Sequence, residues 1–254
     1  MIPIKSEQEI GMIGKSARIL SQVIQKLKES VKPGISTLEI DAMAADLISG
    51  ESAVAAFKNY KGFPANVCIS LNEEVVHGIP GGRLVKDGDI VSLDAGVNFR
   101  GYFSDAAVTF PVGKVDAGRQ RLIEVTRKAL YLGIEQAREN NYLSDISHAI
   151  QEYVEANGFS VVRQFVGHGI GLKMHEEPEI PNFGKPRQGP RLAAGMVLAI
   201  EPMVNMGTWE VDILDNGWTA VTKDRLPSAH FEHTVAITRA QALVLSRLPD
   251  EALN

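Results

Sequence analysis

Residues 88–94 read Gly88-Asp89-Ile90-Val91-Ser92-Leu93-Asp94, and residues 195–201 read Gly195-Met196-Val197-Leu198-Ala199-Ile200-Glu201. In each, a turn glycine is followed by five strand-forming residues and then a carboxylate. Downstream of the first, Asp105 opens the β-rich run Asp105-Ala106-Ala107-Val108-Thr109-Phe110. Downstream of the second, Glu232 opens Glu232-His233-Thr234-Val235-Ala236-Ile237. The chain therefore reads as two weakly similar halves. Each is a hairpin with one acid on either strand, and the connection is longer in the second copy.

The surroundings of these hairpins are helical. Ser6-Glu7-Gln8-Glu9 and Ser36-Thr37-Leu38-Glu39 have the form of capping boxes. The first opens a helix with apolar residues at Ile10, Ile13, Ala17, Leu20, Ile24 and Leu27, ended by Lys32-Pro33-Gly34. The second runs to about Ser49-Gly50. Further helices are expected over about 116–139 and from Ser144 to Asn157-Gly158, a helix stop. Strands are expected at 65–71, 89–97, 102–112, 196–205, 229–237 and 241–246. Helices mixed with antiparallel hairpins predict an α+β fold, read as one domain over 1–254.

Composition excludes several classes. The net charge of -5 gives no sign of a nucleic-acid binder. One cysteine, Cys68, rules out a disulfide framework and fits a cytoplasmic setting. The start, MIPIKSEQEI, lacks the apolar core of a signal peptide, and no stretch approaches the ~20 apolar residues of a membrane span.

The acids carry the chemistry. Asp94 and Glu201 follow apolar runs and Glu232 leads into one, so all lie at the ends of core strands. Burying them unpaired is costly, and Asp94, Asp105, Glu201 and Glu232 together would repel. One or two divalent cations resolve the conflict, and carboxylate-bridged pairs of metals serve aminopeptidase-type hydrolysis. A third signal is Phe165-Val166-Gly167-His168-Gly169-Ile170-Gly171, followed by His175. Alternating glycines oppose a helix and suggest an extended backbone that something approaches closely. Oxygen donors with one imidazole suit Mn, Fe, Co or Zn.

In combination, several motifs resemble the type I methionine aminopeptidases. They are Val67 to Pro80 with Val75-Val76-His77-Gly78-Ile79-Pro80, Asp94 and Asp105 eleven apart, the stretch around His168, His175-Glu176-Glu177-Pro178, Ile200-Glu201-Pro202-Met203, and Phe231-Glu232-His233. The resemblance spans nearly the whole chain. It implies the pita-bread fold, two pseudo-symmetric halves around a dinuclear metal centre. It also implies removal of the N-terminal methionine from nascent proteins when the second residue is small. On this resemblance the chain is expected to start directly at the catalytic domain, without the N-terminal domain of prolidases or the zinc-binding extension of some eukaryotic relatives.

The resemblance implies a role for each matched residue. Asp94 binds one metal, Asp105 and Glu232 bridge both, and His168 and Glu201 complete the ligands of the second metal, with a bound water as nucleophile. His175 steadies the tetrahedral intermediate, His77 contacts the region of the scissile nitrogen, and Glu201 shuttles the proton to the leaving amine. Tyr60, Phe63, Cys68, Met174 and Trp218 line the methionine pocket. The expected partners are nascent N-termini and, transiently, the ribosome; the expected state is a monomer. His148 is given no role, and His233 is expected on the face opposite Glu232.

Three residues depart from the family pattern. Met174 stands where an aromatic is expected, Phe183 where the signature has other choices, and His230 where glutamine is usual. Two alternatives stay open on sequence: a hydrolase of the same fold that cuts Xaa-Pro bonds, and a metal-free binding module.

Overall fold

The structure is a computed structural model that describes residues 1–251. The chain opens with α1 (Glu7–Ser30) and α2 (Thr37–Gly50). Both start at the expected capping boxes. Ser6 and Ser36 accept the N–H of Glu9 and Glu39, and each glutamate accepts the cap residue's N–H in return. Three short strands follow: β1 (Val54–Ala55), β2 (Cys68–Leu71) and β3 (Glu74–Val76). The hairpin of β4 (Ile90–Phe99) and β5 (Tyr102–Pro111) turns at Arg100-Gly101. Both turn residues have positive φ, 54° and 86°, which matches the twist of the strands. Next come α3 (Ala117–Gln136) and α4 (Leu143–Ala156).

The rest is β structure: β6 (Ser160–Val161), β7 (Gly167–Gly169), β8 (Glu176–Ile180), β9 (Val197–Ile200), β10 (Met203–Asn205), β11 (Val211–Ile213), β12 (Ala220–Thr222), β13 (Ser228–His230), β14 (Glu232–Ile237) and β15 (Ala242–Val244). The glycine-rich stretch thus forms β7 and leads into β8. The single strands expected over 196–205 and 229–237 are each divided. One breaks at Glu201-Pro202, where proline has no N–H to offer a ladder; the other breaks at Phe231. After each break the chain changes sheet. β9 and β14 belong to a nine-stranded sheet, and β10 and β13 to a three-stranded one.

The large sheet runs β1-β4-β5-β14-β9-β7-β8, with β2 also on β4 and β15 also on β14. The two hairpin halves meet where β14 pairs with β5, Glu232 opposite Ala107 and His233 opposite Ala106. Alternate residues face opposite sides of a strand. Leu93, Val108, Leu198, Ile200 and Val235 go to the main core, with Leu20 and Ile24 of α1, Ile40 of α2, Leu122 and Leu130 of α3, and Ile146 and Ile150 of α4. Each such side chain, fully buried, contributes roughly 1.5–3 kcal/mol. The residues between them, the acids among them, are left for the other face. Among the described residues, no helix is long and apolar enough to cross a membrane.

Candidate metal centre

Residues opposite one another on antiparallel strands share a face. The register puts Cys68, Asp94, Ala107 and Glu232 in one row across β2, β4, β5 and β14. Asp105 is two residues before Ala107 and so lies on the same face. His168 and Thr234 both pair with Ala199, and Thr234 is two residues after Glu232. Ile200 pairs with His233 on the helix side, which turns Glu201 towards the acids. Between Asp94 and Glu232 the row holds only the methyl group of Ala107, which leaves space above it for two carboxylates.

These acids are almost sealed from water. Asp94, Asp105 and Glu232 are 8%, 4% and 2% exposed. Asp94 Oδ1, Asp105 Oδ1 and Glu232 Oε1 are buried without a hydrogen-bond partner. Burial, then the charges of neighbouring acids, pushes Asp105 and Glu232 well above the ordinary carboxylate range. Burial likewise raises Asp94 to about 7, with His230 pulling it down and Glu201 pushing it up. Glu201 is raised by burial to about 7, against the pull of His168.

Donor atoms of Asp105, His168 and Glu232 lie within 4.8 Å of one another. His168 Nε2 is 3.8 Å from Asp105 Oδ2 and 3.7 Å from Glu201 Oε1. Such spacings are too long for hydrogen bonds and suit donors that share an ion. Orphaned oxygens and strained ionisation are both relieved by divalent cations, so the donor set fits them.

Local structure aims His168. Its Nδ1 donates to the Gly169 carbonyl at 2.9 Å, which leaves the Nε2 lone pair for the acid cluster. The flanking glycines are needed for close approach. A Cβ at Gly167 would strike the Ala199 carbonyl oxygen, and one at Gly169 the Glu177 carbonyl oxygen. Asn182 Nδ2 donates to the Glu201 carbonyl at 3.0 Å and holds that strand end.

Above the acids lies a cavity of about 300 Å³. Tyr60, Phe63, Cys68, Trp218, His77 and His175 line it. His77 has φ 59°, a left-handed conformation that costs a non-glycine residue about 1–2 kcal/mol. Its ring sits edge-on to Phe165 and Trp218, with centroids 5.2 and 6.2 Å away. Burial, then the nearby His230, lowers His77 to about 4. Burial, then His168, Lys61 and His77, lowers His175 to about 3.

His175 is held by Tyr60, whose hydroxyl is 2.9 Å from Nδ1 and whose ring stacks on it at 5.2 Å. The next residue, Glu176, forms a buried ion pair with Lys5 and accepts the N–H groups of Leu172 and Lys173. The segment before α1 thereby fixes the turn that carries His175.

Met174 does not line the cavity. Its side chain is 2% exposed and packs with Ile13, Ile170, Val197 and Ala236. The reason is local: Met174 and His175 are neighbours, and with His175 in the cavity Met174 is turned into the core. Phe57, Val76, Phe165 and Val166 line the cavity and escaped the sequence reading. Val76 and Phe165 were legible as neighbours of His77 and of the His168 stretch; nothing local marked Phe57. His233 lies on the helix side, as alternation required, near Tyr131, Ser246 and Glu251.

Comparison with known proteins places this geometry. Residues 11–239 match the model of metallopeptidase family M24. A methionine aminopeptidase of Clostridium perfringens is 56% identical, over 93% of this chain and 95% of its own. Methionine aminopeptidase 1 of Bacillus subtilis is 50% identical, over 98% and 100%. The crystal structure of methionine aminopeptidase from Thermotoga maritima superposes with a TM-score of 0.96 at 42% identity, covering 97% of this chain and all of that one. Prolidase from Pyrococcus furiosus superposes at 0.78 with 24% identity, over 96% of this chain and 65% of its own, a likeness of fold alone. The fold is the pita-bread fold, and the chain belongs to metallopeptidase family M24.

Proposed function

We propose that this chain is a metal-dependent aminopeptidase that removes the N-terminal methionine of polypeptides whose second residue is small. The observation that carries the reading is the row of buried carboxylates beside His168, three of them with an oxygen that has no hydrogen-bond partner, at the floor of an apolar-walled cavity. Asp94, Asp105, His168, Glu201 and Glu232 would hold the metal. Four carboxylates balance the charge of two divalent cations, and the donor set suits Co, Mn, Fe or Zn. Bound there, the cations would polarise the scissile carbonyl and lower the pKa of water towards ~7.

The chain's own groups supply the rest. With Tyr60 donating to His175 Nδ1, the ring proton sits on Nε2. That nitrogen then donates to the carbonyl oxygen of the scissile bond as charge develops there. His77 contacts the amide nitrogen and positions the chain. Glu201 would take a proton from the attacking water and return it to the leaving amine. Phe57, Tyr60, Phe63, Cys68 and Trp218 suit a thioether side chain. With His77 and His175 both against one peptide bond, little room remains for a bulky second residue.

A panel of peptides varied separately at positions one and two tests this, with the protein stripped by chelator and then resupplied with metal. The expected outcome is no cleavage when stripped, recovery with Mn, Fe or Co, and cutting of Met-Ala and Met-Gly but not Met-Lys or Met-Trp. Full activity in metal-free protein would overturn the metal reading. Efficient cutting of Met-Trp would overturn the size rule alone.

A further inference from the structure

His230 ends β13 two residues before Glu232, and the functional reading above leaves it idle. Its backbone is clamped. The Thr109 hydroxyl contacts both its N–H and its carbonyl, each at 2.8 Å. The side chain is 2% exposed, and neither ring nitrogen has a hydrogen-bond partner. Among the described residues it is the one histidine with both ring nitrogens buried and bare. By contrast, His168 is oriented by Gly169, and His233 has three neighbours within reach.

The imidazole faces the metal cluster. His230 Nε2 is 3.6 Å from Glu201 Oε2, while Glu201 Oε1 is 3.7 Å from His168 Nε2. The Glu201 carboxylate therefore lies between two imidazoles, one to each oxygen. A carboxylate that gives one oxygen to an ion needs a donor for the other, and such donors commonly fix metal ligands. A neutral imidazole carries one N–H. An approach of a few tenths of an ångström turns the present spacing into a hydrogen bond.

We propose that His230 is a positioning residue for Glu201: its Nε2–H donates to Glu201 Oε2 and thereby holds Oε1 towards the ion bound beside His168. The proposal rests on the reading of Glu201 as a metal ligand. The bare Nδ1 would remain an acceptor only, which buried space tolerates better than an unpaired donor. Losing an orienting partner of this kind typically weakens metal affinity by about 10–100-fold.

The test is calorimetric titration of Mn²⁺ into chelator-stripped full-length protein. The set is wild type, His230→Gln, His230→Ala, His230→Leu and Glu201→Gln, each checked for folding by thermal melting. His230→Leu fills the volume without a donor and stands in should the alanine variant fail to fold. Expected are losses of about 10–100-fold in Mn²⁺ affinity for His230→Ala and His230→Leu. His230→Gln, whose amide can donate, should stay within a few-fold of wild type. At saturating Mn²⁺ the alanine and leucine variants should lose kcat with KM little changed.

Wild-type affinity in His230→Leu, or equal losses in His230→Gln and His230→Leu, would overturn the proposal. Unchanged affinity in Glu201→Gln would overturn both it and the ligand reading beneath it. X-ray absorption of the Mn²⁺-loaded protein should give the same imidazole count in wild type and His230→Gln. A count that drops in the variant would make His230 a direct ligand and refute the positioning role.

Discussion

At the scale of single residues, the two histidines of the 165–178 stretch divide the work. His168 has one nitrogen committed to a carbonyl and the other turned to the acids. His175 has one nitrogen on Tyr60 and a pKa held by burial to about 3. His175→Ala should therefore bind metal as wild type does, yet lose about 10²–10³-fold in kcat, the usual cost of one donor to a developing oxyanion. His168→Ala should lose metal. Metal content by mass spectrometry alongside kcat checks the division, and equal metal loss in both variants would refute it. Because His175 stays neutral far below pH 6, the wild-type to His175→Ala rate ratio should be flat from pH 6 to pH 8. A ratio that fell tenfold across that range would show that the imidazolium, not the neutral ring, is active.

At the scale of elements, the site depends on how β5 and β14 separate. Their backbone pairing covers Ala106 and Ala107 only. Beyond it, threonine hydroxyls take the place of ladder bonds. Thr234 Oγ1 accepts the Asp105 N–H at 2.9 Å and donates to the Asp105 carbonyl at 2.7 Å. Thr109 does the same for His230 across the seam. The two halves thus hold each other's functional residues through matching side chains. Thr234→Val keeps the shape but leaves two buried backbone groups of Asp105 without partners. The expected cost is about 1–3 kcal/mol per group, read as a fall in melting temperature, together with weaker metal binding. Thr234→Ser should restore most of both. A valine variant with wild-type melting and metal affinity would show that the seam does not position Asp105.

At the scale of the whole molecule, folding gathers carboxylates that the unfolded chain keeps apart. Their pKa values are raised in the folded state: Asp94 and Glu201 to about 7, Asp105 and Glu232 well above the ordinary carboxylate range. At these four acids the folded metal-free protein therefore binds more protons than the unfolded chain, an excess partly offset by His77 and His175, which burial lowers to about 4 and about 3. Its stability is greatest below the ordinary carboxylate range and is lost as pH rises through about 7. Chelated protein should melt at falling temperature from pH 5 to pH 8, by more than the ~2–4 °C that 1 kcal/mol produces in a chain of this size. Mn²⁺ should abolish most of that slope, since it binds the native state and replaces the protons. Melts of chelated protein that are flat from pH 5 to pH 8 would mean that the acids are not strained in the folded chain.

The sequence by itself determined whatever rests on local chemistry. Two capping boxes set the starts of α1 and α2, the strands expected at 89–97 and 102–112 form the first hairpin, and strand alternation put His233 on the face opposite Glu232. The repeat of glycine, apolar run and carboxylate marked Asp94 and Glu201, and the matching β-rich runs downstream marked Asp105 and Glu232. Only the tertiary structure decided what rests on contacts between distant segments. The break at Phe231 follows from a change of neighbouring sheet, which no single strand announces, whereas Pro202 already signalled the other. Met174 was read as a pocket residue and is core, because Ile13 of α1 and Val197 of β9 wait beneath it. Phe57 entered the cavity from a loop with no motif of its own. His230 looked like a local departure, and became a candidate partner of Glu201 only once β13 and the end of β9 were brought together. Periodicity and caps act within a few residues, whereas these placements depend on which surfaces meet when the two halves close.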